Sequence, residues 1–149
     1  MQAAIGCAQL KKLQLFIKKR KDNFDVLYGG LSDTKKYFLL PQGTAKSQPC
    51  WFGFILTLKK NTPFDRDAIV RYLEESNIQT RLLFAGNLIK QPCFDVMRKE
   101  HKGYRVVGEL SNTDYVMANS FWVGVYPGLN KQMLEIIIKS IKEYIYRKR

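Results

Sequence analysis

The sequence predicts an α+β fold of the α/β-sandwich type, in which helices pack on a small, mostly antiparallel β-sheet. The chain has 149 residues, enough for one ordinary domain with a real core. Two bulky apolar runs, 51–58 and 121–125, are typical of buried strands. Apolar residues also recur at helical spacing near both ends of the chain. We therefore interpret residues 1–149 as a single domain, with the element order α-β-β-α-β-α-β-α.

The first half predicts a helix, two strands and a second helix. Apolar residues recur every three or four positions at the start of the chain, which predicts one long opening helix: Ala3, Cys7, Leu10, Leu13 and Ile17. Residues 37–40 predict a short strand, and residues 51–58 predict a buried central strand. Thr62 is the expected N-cap of the second helix, because Pro63 fits the first helical turn and Asp65 suits the helix dipole.

The second half continues the alternation. Residues 80–84 predict a strand, and the polar stretch 85–109 is long enough to be functional or flexible. Ser111 or Asn112 is the expected cap of a short helix that runs through Ser120, before the strand 121–125. Asn130 is the expected cap of the last helix. Its apolar stripe has helical spacing: Leu134, Ile137, Ile138, Ile141 and Ile145.

The charge is strongly basic, with 25 Lys and Arg against 13 Asp and Glu and a net charge of +12. The excess lies towards the two ends of the chain, and such a field attracts phosphate-bearing partners. Solvated helix faces account for the same pattern, and most aromatic residues fall in strand-like runs rather than among the basic ones. This arrangement disfavours nucleic acid as a partner. A free-standing basic module for nucleotide or nucleic acid stays an alternative.

Membrane, secretory and disulfide-rich classes are excluded by simpler signals. No apolar run reaches the roughly 18–20 residues that span a bilayer, and the first residues have no secretory pattern. The three cysteines, Cys7, Cys50 and Cys93, are odd in number and far apart, which suits a reducing compartment. We expect a cytoplasmic protein with no membrane partner.

Catalytic groups are few in this chain. His101, the single histidine, lies in a charged loop sequence without ligands at metal-binding spacing. Cys50 and Cys93 each flank a proline and are expected to be buried or half-buried thiols. Glu74 and Glu75 are adjacent on a helix and point about 100° apart. The residues alone therefore predict no catalytic, cofactor-binding or metal-binding residue.

Five segments together resemble one enzyme family. They are MQAAIGCAQL (1–10), PCWFGF (49–54), TRLLFAGNLIKQP (80–92), YRVVGEL (104–110) and FWVGVYPGL (121–129). The sequence resembles the DegT-type sugar aminotransferase superfamily of pyridoxal-phosphate (PLP) enzymes. Within it, the similarity is to the CDP-4-keto-6-deoxyglucose 3-dehydrases of lipopolysaccharide biosynthesis. The resemblance implies the C-terminal small domain of a fold-type I PLP enzyme.

The resemblance also implies what lies outside this chain. In the family, a large domain binds pyridoxamine phosphate (PMP), a histidine replaces the Schiff-base lysine, and four cysteines hold a [2Fe-2S] cluster. Cys7, Cys50 and Cys93 do not match the cluster ligands. The full enzyme is expected to bind a CDP-sugar, to form a homodimer and to receive electrons from a reductase partner. The chain alone is expected to be inactive, colourless and free of cofactor. The small domain of a PLP-dependent sugar aminotransferase is the neighbouring alternative.

Four substrate-binding residues follow from the resemblance. Phe52 stands where sugar aminotransferases tend to have a histidine, which would favour dehydration over transamination; a core phenylalanine is the alternative. Arg81 is expected to hold a phosphate or a sugar hydroxyl through its rigid donor fork, with a strand-end ion pair as the alternative. Asn87 and Gln91 are expected to contact the sugar ring, with loop capping as the alternative.

Overall fold

The computed structural model describes residues 2–147. Its helices are α1 (Gln2–Leu10), α2 (Leu13–Gly30), α3 (Arg66–Glu75), α4 (Asp95–Glu100), α5 (Ser111–Asn119) and α6 (Lys131–Arg147). Its strands are β1 (Phe38–Leu39), β2 (Gly53–Leu58), β3 (Thr80–Leu82) and β4 (Ser120–Gly124). Three short 3₁₀ turns cover Ser32–Lys36, Leu88–Lys90 and Pro92–Phe94. The described part of the chain therefore follows the predicted alternation, with two additional helices.

The four strands form one antiparallel sheet in the order β1-β2-β4-β3. The long strands β2 and β4 pair at its centre, from Gly53 opposite Gly124 to Thr57 opposite Ser120. β3 pairs with the other edge of β4. The small, antiparallel sheet with packed helices confirms the predicted α+β class.

The core lies between one face of the sheet and the helices α2, α3 and α6. Alternate residues of β2 and β4 face this core, because side chains along a strand alternate between its two faces. The fully buried side chains come from both layers: Leu27, Leu31, Phe38, Phe54, Leu56, Leu58, Ile69, Leu73, Phe121, Val123, Ile141 and Ile145. Burying one such side chain stabilises the fold by about 1.5–3 kcal/mol.

The last helix forms as its sequence predicts. The Asn130 Oδ1 accepts a hydrogen bond from the Met133 backbone N–H at 2.9 Å, which confirms the predicted cap. Four stripe residues are buried and Ile138 is half-buried against the core: Leu134, Ile137, Ile141 and Ile145.

The opening helix differs from the prediction, because it is two helices separated at Lys11 and Lys12. No residue of α1 is buried, whereas α2 buries Asn23, Phe24 and Leu27. Helices in proteins draw most of their stability from packing one face on a neighbour. The apolar spacing predicted helical structure correctly. In the described chain, however, α1 has no buried residue whose packing would keep it continuous with α2.

Two predicted helix caps are wrong. The cap of α3 is Asp65, whose Oδ1 accepts from the Ala68 N–H at 2.7 Å. The Thr62 hydroxyl instead donates a hydrogen bond to the Lys59 carbonyl at 2.7 Å. Thr62 therefore stabilises the turn before α3 and does not cap the helix. α5 has Leu110 at its cap position and no side-chain cap bond, so neither Ser111 nor Asn112 caps it.

The polar stretch 85–109 is more ordered than the prediction, since it contains α4 and two 3₁₀ turns. Cys50 and Cys93 are exposed, contrary to the expectation of buried thiols, because the segments that carry them lie on the surface. Among residues 2–147, no helix combines the length and apolar character that a membrane crossing requires.

Candidate functional site

A cleft of about 610 Å³ lies at the edge of the sheet where β3 begins and β4 ends. Phe52, Arg81, Trp122 and Tyr126 contribute to its walls, together with the loop 76–79 and the first turns of α6. This volume lies in the range of small-molecule sites. Two other clefts, of about 640 and 500 Å³, contain none of the sequence-predicted site residues. The cleft beside β3 is therefore the candidate site.

Phe52 is an exposed side chain at the rim of this cleft. Its exposed fraction is 68%, and β2 begins one residue later, at Gly53. The interpretation of Phe52 as a core phenylalanine is therefore wrong. The Arg20 guanidinium lies 5.7 Å from the ring centroid and donates to the Trp51 carbonyl at 3.1 Å, so Arg20 braces this segment.

Arg81 and Trp122 are directly paired across β3 and β4. They face the side of the sheet opposite the core, because Thr80 and Val123, the preceding pair, belong to the buried face. The exposed Arg81 donates one hydrogen bond to the Thr80 carbonyl at 2.8 Å. A guanidinium has five N–H donors, so its fork can still take two oxygens of an anion.

The Glu74 carboxylate anchors Thr80, the residue before Arg81, and interacts electrostatically with Arg81. It accepts hydrogen bonds from the Thr80 N–H at 2.6 Å and from the Thr80 hydroxyl at 2.7 Å. These bonds, the hydroxyl first, lower the pKa of the Glu74 carboxyl below its usual value, and the charge of Arg81 acts in the same direction. Glu74 therefore anchors the start of β3 as a carboxylate and supports the position of Arg81.

Asn87 and Gln91 lie outside this cleft, and their side chains make hydrogen bonds that stabilise the loop after β3. Asn87 is 2% exposed, and its amide donates to the Asp114 Oδ1 at 2.7 Å. The Gln91 amide donates to the Ala85 carbonyl at 2.8 Å. The structure brings Phe52 and Arg81 together but places Asn87 and Gln91 in a separate, internally bonded loop. Their sugar contacts stay a prediction.

Asp114 links this loop to α5. Lys90 Nζ lies 2.7 Å from the Asp114 Oδ2, and hydrogen bonds from Lys90 and then from Asn87 lower the pKa of the Asp114 carboxyl. A lowered folded-state pKa adds stability above the unfolded pKa of about 3.9 and loses it as the pH falls through the folded pKa. The link is therefore complete at neutral pH.

We expect Lys90→Met to raise the pKa of Asp114 towards its ordinary value, because the strongest hydrogen-bond donor to that carboxylate is removed. A ¹³C NMR titration of the Asp114 carboxyl measures the shift. Lys99→Met is the matched control, since Lys99 is exposed on α4. Equal titration midpoints in the two variants would contradict the assignment of Lys90 as the main cause.

The described residues do not fit an iron–sulfur cluster or another bound metal. Among residues 2–147, no three His, Cys, Asp or Glu side chains gather as a metal site. Cys7, Cys50 and Cys93 are exposed and belong to α1, a loop and a 3₁₀ turn. His101 is exposed in a left-handed conformation at the end of α4.

Sequence reasoning missed Trp122, Arg20 and Asp114. The alternation of β4 could have placed Trp122 opposite the core, since Phe121 and Val123 are its neighbours. Arg20 and Asp114 act across long sequence separations, so no local pattern could have identified them.

Comparison with known proteins shows similarity to one enzyme family. Residues 1–142 match the DegT/DnrJ/EryC1/StrS aminotransferase family. The chain is 46% identical over 144 residues to the lipopolysaccharide biosynthesis protein RfbH of Salmonella typhimurium, covering 97% of this chain and 32% of that protein. It is 42% identical over 145 residues to the dTDP-4-dehydro-2,6-dideoxy-D-glucose 3-dehydratase of Saccharopolyspora spinosa, covering 97% and 30%. The chain thus spans about a third of the length of these relatives.

Solved structures agree with the sequence comparison. An Escherichia coli GDP-4-keto-6-deoxy-D-mannose-3-dehydratase with bound hydrated PLP is 29% identical with a TM-score of 0.74, covering 97% of this chain and 33% of that one. A GDP-4-keto-6-deoxymannose-3-dehydratase variant with bound GDP-perosamine is 28% identical with a TM-score of 0.80, covering 93% and 34%. By sequence and by fold, this chain belongs to the DegT/DnrJ/EryC1/StrS aminotransferase family.

Proposed function

We propose that this chain is the C-terminal small domain of a nucleotide-sugar 3-dehydrase that removes the 3-hydroxyl of CDP-4-keto-6-deoxyglucose. Its product would be a 3,6-dideoxyhexose precursor for O-antigen and lipopolysaccharide. The observation that carries the proposal is the exposed Phe52 in the same cleft as Arg81, at the position where the resemblance gives aminotransferases a histidine. Two relatives support it: the 3-dehydratase of S. spinosa and the lipopolysaccharide biosynthesis protein RfbH.

The residues of the cleft suit binding and exclusion of water. Phe52, Trp122 and Tyr126 supply aromatic surface, and Arg81 supplies donors for the diphosphate or a sugar hydroxyl. The described lining of the cleft contains no carboxylate and no histidine. We therefore assign proton transfer to groups of the full enzyme outside this chain, and to this domain the orientation of the substrate.

The remaining parts of the proposal concern the full enzyme. When bound by the full enzyme, PMP would supply an electron sink for loss of the 3-hydroxyl. The residues that the structure describes, 2–147, do not fit a [2Fe-2S] cluster, so we assign that cluster and its four thiolates to the other part of the enzyme. A homodimer, a reductase partner and a cytoplasmic location complete the proposal.

A domain exchange tests the assignment directly. This chain replaces the matching 145 residues of the S. spinosa 3-dehydratase, and the chimera is assayed with PMP, the substrate of that enzyme and a reductase that supplies the two electrons needed to replace the 3-hydroxyl by hydrogen. We expect 3-dehydration within about a hundredfold of the parent rate, since small misplacements at an interface cost that much. L-glutamate is added in a parallel assay for the 4-amino product. A folded chimera that does not dehydrate would contradict the proposed function.

We expect Phe52→His in this chimera to lower dehydration by about tenfold and to admit some transamination. An imidazole exchanges protons near neutral pH and disturbs an apolar cleft, whereas a phenyl ring only excludes water. The ratio of 3-deoxy to 4-amino product is measured by chromatography. Phe52→Leu, which stays apolar, should keep the parental ratio. The same ratio in all three proteins would remove Phe52 from the site.

A further inference from the structure

Trp122 lines the cleft and packs against the neighbouring strand β2. Its indole lies over Gly53 of the neighbouring strand, where a Cβ would come within 2.5 Å of the Trp122 Cε3. Gly53 itself pairs with Gly124, so two glycines stand side by side next to this ring. The indole is half-buried and lines the cleft. This packing fixes the ring and leaves the surface away from Gly53 for a ligand.

Phe52 and Trp122 together form an apolar corner of the cleft. The ring centroids of Phe52 and Trp122 are 5.1 Å apart, with their planes inclined at 58°. Arg20 also restrains Phe52 through its cation–π contact. A phenylalanine held in place while 68% exposed offers apolar surface that a ligand can cover. Arg81 stands next to Trp122 on the neighbouring strand, so a cationic fork borders the corner.

We infer that Trp122 is the platform on which the hexose ring of the substrate stacks, with the C6 methyl group against Phe52 and the diphosphate at Arg81. This inference rests on the proposed function and adds an orientation and a specificity to it. One face of a pyranose carries mainly C–H bonds, which pack well on a flat aromatic ring. A methyl group fits the apolar corner, whereas a 6-hydroxyl would lose its hydrogen bonds to water there. Phe52 and Trp122 thereby select a 6-deoxyhexose.

Saturation-transfer NMR on this chain tests the orientation, since that method detects weak binding by a single domain. The probes are CDP, CDP-glucose and CDP-6-deoxyglucose. We expect the strongest saturation on the C6 methyl protons, and a dissociation constant about tenfold lower for CDP-6-deoxyglucose than for CDP-glucose. Trp122→Leu should abolish this preference and leave CDP binding unchanged. Phe84→Leu is the control, because Phe84 is an exposed aromatic residue outside the cleft.

Trp122→Phe keeps a smaller ring and should retain part of the preference, so the test holds if Trp122→Leu does not fold. Saturation of the cytosine protons instead of the hexose would overturn the inference, as would equal affinity for the two sugars or no saturation at all. The outcome is independent of the domain exchange. Absence of the 6-deoxy preference in this chain, together with a chimera that dehydrates, refutes only the platform, whereas a folded chimera that does not dehydrate refutes the proposed function.

Discussion

Phe54→Ala should lower the free energy of unfolding by about 3–5 kcal/mol, the usual range for a buried aromatic side chain. Phe54 is fully buried near the start of β2 and contacts Phe24 of α2, with ring centroids 5.2 Å apart. Its removal leaves a cavity where the sheet meets α2. Because domains of this size are stable by only about 5–15 kcal/mol, the melting temperature should fall by about 10 °C.

The neighbouring Phe52→Ala provides the matched control, since it makes the same change two residues earlier on an exposed ring. We expect a loss below about 1 kcal/mol, from the contacts with Trp122 and Arg20. Urea denaturation of both variants measures the difference. A similar cost for the two substitutions would mean that Phe52 is part of the core rather than of the site.

Arg81→Ala in the chimera should raise the KM for the nucleotide sugar by about 10–100-fold, with a smaller change in kcat. Hydrogen bonds to a charged group contribute about 1.5–3 kcal/mol, and an interaction made equally in ground and transition states appears in KM. The fold should remain intact, because Arg81 is exposed and its described hydrogen bond goes to the adjacent Thr80 carbonyl. Initial rates over a range of substrate concentrations separate the two kinetic constants.

Two variants control this result. Arg81→Lys keeps the charge and loses the planar fork, so its KM should lie between those of the chimera and the alanine variant. Arg71→Ala removes an exposed arginine of α3 that lies outside the cleft lining, so its kinetics should be unchanged. A KM in Arg81→Ala equal to that in Arg71→Ala would contradict a substrate contact.

Local patterns predicted the helices and strands in which the spacing of apolar residues indicates which side is buried. The apolar stripe of α6 and the dense run of β2 need one side to face a core, whatever the partner is. Asn130 was identified because its cap bond spans three residues. Thr62 was misassigned because two turn geometries compete within four residues, and Asp65 takes the cap.

The candidate site depended on information that no local pattern contains. The resemblance identified Phe52 and Arg81, but their common cleft arises from the pairing of β3 with β4, whose partners Arg81 and Trp122 are 41 positions apart in the chain. Whether Phe52 belongs to β2 depended on a strand boundary one residue away, which apolar composition cannot locate. Asn87 matched a motif and proved to bond Asp114, on a helix that lies well beyond it in sequence.

The central ladder of the sheet has a consequence for how the domain reaches its structure. Thr57 and Ser120, bonded through their hydroxyls, are separated by 63 positions, and α3, β3, α4 and α5 all lie between β2 and β4. The entropy of closing so long a loop must be lost before these contacts can stabilise anything. Such topologies fold more slowly than local ones, in milliseconds to seconds. Before β4 pairs with β2, the apolar residues Phe54, Ile55 and Leu56 of β2 are exposed and can associate with other chains. Expression at low temperature and low concentration should therefore favour soluble protein.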